Sequence, residues 1–255
     1  MGREILSGLK GLMASVNPKF SGREERGSLS ERAYFVIRDR ILKGELPLGA
    51  DVSRRKLAAE LGMSLVPVTE ALQRLEGEGL VESWPRSGTR VCRPTAQDIR
   101  ERVEVREALE SQAARLFAER ASFGQRAELR RMAEHMDALY NRCASGDNDP
   151  EYLFAVQSYH LQLHLKIAEY TGCRALQQAI EKNHVLIFNW LYDVAAGRPA
   201  MPPRFHRELV ETISGGDPEQ ADRAMRQHIR YGLNSVVSAI DPGSAVQNNS
   251  EKLIG

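Results

Sequence analysis

From Thr95 to about Ile240 the sequence carries almost nothing but helix. Apolar residues recur there at steps of three and four, which returns them to one face of an α-helix. The run is broken only at Phe123-Gly124, at SGDND, at Gly172, at GRPAMPP and at SGGD. These breaks predict helices over about 96–122, 125–144, 150–171, 173–196, 203–214 and 218–240. Thr95 with Asp98 three residues on reads as a capping box. Asp217-Pro218-Glu219-Gln220 combines a cap residue, a proline at the first helical position and a Gln at the third. Six successive helices without a strand can bury their apolar faces only against one another. The expected architecture over 95–240 is therefore an antiparallel, all-α bundle.

Upstream of Pro94 the pattern differs. Residues 30–43 have helical spacing at Tyr34, Ile37, Ile41 and Leu42 behind a serine cap. A second helix is expected from about Ser53 to Leu61, closed by Gly62. A third starts between Ser64 and Pro67 and ends at Gly77–Gly79, with Val68, Ala71, Leu72 and Leu75 on one side. LVESW and TRVCR are short β-type runs around the turn PRSG. Three short helices and a small hairpin describe a winged helix-turn-helix, and the pattern alone equally allows a generic small α+β domain. Residues 1–28 and 241–255 read as flexible tails.

A chain of 255 residues with 42% hydrophobic residues can form one large or two ordinary cores. The net charge of +1 points to neither nucleic acid nor membrane. Cys92, Cys143 and Cys173 form no CxxC pair, which suggests a reducing, cytoplasmic setting. No apolar run reaches membrane-spanning length, and the N-terminus lacks a signal-peptide pattern.

Histidine placement is the main chemical signal. In SYHLQLHLKIAEYTG, His160 and His164 share a helix face with Val156, Leu163 and Ile167. His206 falls with Leu209, Val210 and Ile213, and His228 with Ala221, Ala224, Met225 and Val236. Imidazoles four residues apart suit two metal ligands from adjacent turns. His135 and His184 also border apolar stripes, so periodicity cannot choose ligands among six histidines. A lone inward histidine is more often a hydrogen-bonded core residue. Arg106 and Glu110 have the spacing of a surface i,i+4 pair.

The stretch LAAELGMSLVPVTEALQRLEGEGLVESWPRSGTRV resembles the winged-helix domain of the GntR family of bacterial transcription regulators, from about Leu29 to Arg93. The resemblance implies that the third helix enters the major groove of double-stranded operator DNA. Ser64, Thr69, Gln73 and Arg74 would face it, joined by Arg55 and by Arg86 and Gly88 of the wing. The family usually has arginine where this chain has Leu65 and Thr69. Over 30–93 there are 11 basic and 9 acidic residues, a net of +2, so the phosphate-directed attraction is weak. Arg54-Arg55-Lys56 is more basic than is usual. An unusual operator or modest affinity is expected.

EVREALESQAARLFAER, LHLKIAEYTGCRAL and FHRELVETISGGDPEQADRAMRQHIR resemble the FCD ligand-binding domain of the FadR-like branch, and six helices suggest its VanR-type subgroup. The resemblance implies a divalent transition metal, zinc or nickel first, held by His164, His206 and His228, with His160 as the fourth ligand where the family has Asp or Asn. Arg106 would face a small carboxylic-acid effector at the metal. A symmetric operator implies a homodimer, nucleoid-associated in a bacterial cytoplasm and without a membrane partner. The alternative is a helical metalloenzyme. The absence of HExxH, GxxxxGK[ST] and GxSxG, beside a winged helix, argues for a non-enzyme.

Overall fold

The computed structural model describes residues 27–84, 88–144, 150–193 and 201–231. Most of both expected tails, Val236, Arg86 and the end of the helix expected to reach residue 240 lie outside these residues. The chain divides into two compact units. Among the described residues, the first comprises those up to 93 with 150–158 and 188–193, and the second those of 94–144, 159–187 and 201–231.

In the first unit α1 (Leu29–Leu42) starts two residues earlier in the cap than its sequence suggests, because Ser28 rather than Ser30 accepts from Glu31 N at 3.2 Å. Helix α2 (Arg54–Leu61) is capped by Ser53, which accepts from Lys56 N. It is closed by Gly62 at φ +62°, a left-handed conformation that glycine adopts without Cβ strain. Helix α3 (Leu65–Gly77) buries Pro67, Val68, Ala71, Leu72 and Leu75. It packs on α1 through Ala33, Ile37 and Ile41, all fully buried.

A three-stranded antiparallel sheet, in the order β1-β3-β2, completes this unit: β1 (Asp51–Val52), β2 (Val81–Trp84) and β3 (Gly88–Val91). The hairpin pairs Val81 with Val91 and Trp84 with Gly88. Strand β1 has too few residues to show an alternation, and only its pairing of Asp51 with Arg90 and Val52 with Thr89 defines it.

Six helices follow among the described residues: α4 (Ala96–Arg120), α5 (Phe123–Ala144), α6 (Pro150–Glu169), α7 (Arg174–Asp193), α8 (Phe205–Ile213) and α9 (Pro218–Arg230). The Thr95–Asp98 capping box is formed in both directions. Asp217 accepts from Glu219 N and Gln220 N ahead of Pro218. Within the second unit α9 lies along α4, and α8 packs on α5, α9 and α4. Phe117, Leu129, Met136, Leu163, Ile167, Val210, Ile213 and Ala221 form the bundle core. Glu107 of α4 pairs with Arg230 of α9, and Arg115 with Glu219 at 2.7 Å, which fixes the sliding register of the two helices. No described helix is long and apolar enough to cross a membrane.

Candidate metal centre and nucleic-acid face

Three helices carry four imidazoles to one point inside the second unit. His160 and His164 come from adjacent turns of α6, His206 from the first turn of α8 and His228 from the last turn of α9. His164 Nε2 lies 3.0 Å from His160 Nε2 and 3.2 Å from His228 Nε2. Ligand nitrogens of His160, His206 and His228 all lie within 4.8 Å of one another. Two imidazole nitrogens bound to one ion at about 2.1 Å, in ordinary coordination angles, stand roughly 3.0–3.4 Å apart. His206 is fully buried, and its Nε2 has no hydrogen-bond partner. A buried acceptor without a partner is costly unless something supplies one. The residues present therefore fit a divalent transition metal.

The outer atoms of these rings are held by carboxylates. Asp137 of α5 accepts from His206 Nδ1 at 2.9 Å, and also from the backbone N–H groups of His206 at 2.9 Å and Arg207 at 3.1 Å. Burial pushes the Asp137 carboxyl up, but these hydrogen bonds outweigh it and hold the group below its ordinary value. With Nδ1–H committed to an ionised carboxylate, the His206 lone pair sits on Nε2, facing the cluster. Glu110 Oε2 of α4 lies 2.6 Å from His164 Nδ1. Tyr140 stacks on His206 with ring centroids 5.2 Å apart.

Burial, followed by the neighbouring imidazoles, keeps both His160 and His228 well below the ordinary histidine value, and Arg106 acts in the same direction. The rings are therefore neutral near pH 7, the form in which imidazole coordinates metal.

Arg106 does pair with Glu110, through Nε to Oε1 at 2.7 Å. The pair is not on the surface as its spacing suggests, since Arg106 is 8% and Glu110 2% exposed. Both fall on the α4 stripe of Val103, Ala114 and Phe117, which turns them into the bundle. Glu110 thus joins Arg106 to His164. Asp137 and Glu110 were not singled out from sequence as site residues. The available signal was a carboxylate on the buried side of an amphipathic helix, Asp137 lying among Ala133, Met136 and Tyr140. His135 stands apart, with its ring 5.1 Å from that of Tyr159 in an edge contact. The side chain of His184 lies outside the described residues.

In the first unit α3 turns Ser64, Leu65, Val66, Glu70 and Gln73 outward, with Thr69 half-buried on the same side. Arg55 is exposed at the start of α2. Gly88 is exposed at φ +94° where the hairpin re-enters β3. Arg74 is exposed too, but its guanidinium lies 3.6 Å above the Tyr34 ring and its Nε is 3.3 Å from Glu78 Oε1. Arg54 donates to Thr89 Oγ1 at 3.1 Å, and Thr89 Oγ1 lies 3.1 Å from Ser83 Oγ, which ties α2 to the hairpin.

Comparison with known proteins gives two family matches: bacterial regulatory proteins of the gntR family over residues 29–91, and the FCD domain over residues 101–231. The "Probable D-xylose utilization operon transcriptional repressor" of Paenarthrobacter nicotinovorans is 31% identical over 196 residues, covering 76% of this chain and 82% of that protein. A GntR structure from Rhodococcus sp. RHA1 superposes with a TM-score of 0.66 at 21% identity, covering 82% of this chain and 98% of that one. E. coli McbR/YncC superposes with a TM-score of 0.65 at 22% identity, covering 84% of this chain and all of that one, 100%.

Proposed function

This chain belongs to the gntR family of bacterial regulatory proteins and carries an FCD domain, so it is a transcriptional regulator rather than an enzyme; from that premise we propose that it reads operator DNA as a homodimer in the cytoplasm, under control of a small organic acid recognised at a metal in the bundle. One observation carries the sensing half of this reading: the unpartnered Nε2 of buried His206 faces three further imidazoles whose nitrogens approach to coordination spacing. A divalent metal there would supply a Lewis-acidic centre for a carboxylate.

The chain's own residues do the rest. Asp137 and Glu110 orient His206 and His164. His160, with no negative charge of its own, leaves the centre more cationic than an Asp at that position would, which favours an anionic effector. Arg106 supplies a guanidinium beside the imidazoles, and a carboxylate effector would exchange with Glu110 for it. Because Glu110 also contacts His164, such an exchange would move α4 against α6. Glu110 and His164 both lie in the second unit, from which the change would be relayed to the DNA-binding residues. Ser64, Thr69 and Gln73 on α3, Arg55 on α2, and Arg86 and Gly88 of the wing are assigned to DNA. Arg74 would first have to leave Tyr34.

The test is metal content per chain, by elemental analysis, of native protein and of His164→Ala and His206→Ala variants. About one transition-metal ion per native chain, lost in both variants, supports the centre. Native protein that stays metal-free after loading with zinc and with nickel overturns it. Calorimetric titration of the loaded protein with small mono- and dicarboxylates then tests the effector class, and binding that survives Arg106→Ala undiminished removes Arg106 from it.

A further inference from the structure

The outward side of α3 carries an unusual chemistry for a helix that reads DNA. Leu65 and Val66, in its first turn, are 48% and 64% exposed. They share that side with Thr69 and Gln73. The Thr69 hydroxyl donates to Leu65 O at 2.8 Å, so its proton is committed and its methyl group and acceptor lone pairs remain for a partner. The one basic residue of the helix, Arg74, stacks on Tyr34 and pairs with Glu78. No described side chain in the first two turns of α3 can make the bidentate Arg or Lys contact to guanine O6 and N7, the commonest specific contact in the major groove.

Two exposed aliphatic side chains have one apolar counterpart on the base edges of that groove, the C5-methyl of thymine. Against guanine, cytosine or adenine the same side chains would cover polar edge atoms without bonding them, which is unfavourable. We infer that Leu65 and Val66 are specificity-determining residues that select thymine, by its 5-methyl group, in each operator half-site. The inference rests on the placement of α3 in the major groove given under the proposed function. It explains why a basic residue is dispensable at position 65: discrimination there comes from apolar contact. Gln73, two turns along the same face, suits adenine N6 and N7. The half-site core should therefore be read at A·T pairs rather than at guanine.

The experiment selects binding sequences from a randomised duplex pool with the full-length protein. It then replaces the selected thymines one at a time by deoxyuridine, which removes the methyl group and leaves every hydrogen-bonding atom in place. Burial of one methylene-sized group corresponds to about fourfold in affinity. Affinity should fall about fourfold at one or two thymines per half-site, and this sensitivity should vanish in a Leu65→Ala/Val66→Ala double variant. Both positions are exposed, so circular dichroism of the variant should match the parent. Leu65→Arg should shift selection at the same position toward guanine. Selected sites without thymine at the α3 positions, or deoxyuridine sensitivity identical in parent and double variant, overturn the inference while leaving operator reading intact. Absence of any enriched sequence overturns both.

Discussion

Asp137 caps a helix to which it does not belong. Arg204, at the N-cap position of α8, has φ +64° and offers no side-chain cap; Phe205 N donates to Pro202 O at 3.2 Å, which leaves the N–H groups of His206 and Arg207. Asp137, on α5, accepts from His206 N and Arg207 N and, with the same oxygen that takes His206 N, from His206 Nδ1. One carboxylate therefore satisfies the helix start and aims the imidazole that follows it.

Replacing Asp137 should separate these two tasks. Asp137→Ala leaves buried N–H groups unsatisfied and should cost about 1–3 kcal/mol of folding stability by chemical denaturation. Asp137→Asn keeps one oxygen for His206 but sets an NH2 group against Arg207 N–H and removes the charge that holds Nδ1–H. It should lose less stability than Asp137→Ala while metal affinity, measured by chelator competition, falls about 10–100-fold. Unchanged metal affinity in Asp137→Asn would deny Asp137 its orienting role.

Glu110 should be more sensitive than a surface carboxylate. Its removal in Glu110→Ala strands the buried Arg106 charge, a loss of about 3–5 kcal/mol for a broken buried pair. An exposed i,i+4 pair would give about 0.3–0.5 kcal/mol. Thermal or denaturant unfolding distinguishes the two. The double variant Glu110→Ala/Arg106→Ala should recover part of the loss, because the unpaired charge goes with it.

The start of α4 should titrate. The Thr95 hydroxyl and backbone N–H hold Asp98 below its ordinary 3.8. A carboxyl whose pKa is lower in the folded than in the unfolded state stabilises the fold fully above its unfolded value. That stabilisation disappears as pH falls below about 4 through the folded value. Thr95→Ala should cost about 1 kcal/mol at pH 7. Asp98→Asn should flatten the stability-against-pH curve below pH 4, and a curve as steep as the parent's would exclude the capping box as its source.

Salt dependence should be shallow for a DNA-binding protein, since residues 30–93 carry a net charge of only +2. Arg55→Ala should lower the slope of log affinity against log salt by about one and weaken all sequences alike. An unchanged slope would remove Arg55 from the phosphate contacts.

How much was legible beforehand differs between element and site. The helices of both units were readable because their signals are local. Apolar residues at steps of three and four, the Thr95–Asp98 box, Asp217-Pro218 and the glycine after Leu61 each act within one or two turns, and all stand where the sequence put them. That His160, His164, His206 and His228 fall on apolar faces was readable for the same reason, but His135 and His184 border apolar stripes too, so periodicity did not choose among the six and the family resemblance did. Strand β1 was not readable, because two residues carry no period and their pairing with β3 lies 37–39 positions away.

The sequence by itself determined which segments become helix, which faces they bury and which side chains carry nitrogen or charge into the interior. Only the tertiary structure decided which of these meet. The approach of His164 to His228 spans 64 positions, that of Asp137 to His206 spans 69, and Arg106–Glu110 is buried rather than exposed because α4 faces inward there. Periodicity reports the orientation of a side chain about its own helix axis. It holds no information on the rotation and sliding of one helix against another, which packing and inter-helix ion pairs such as Glu107–Arg230 set together.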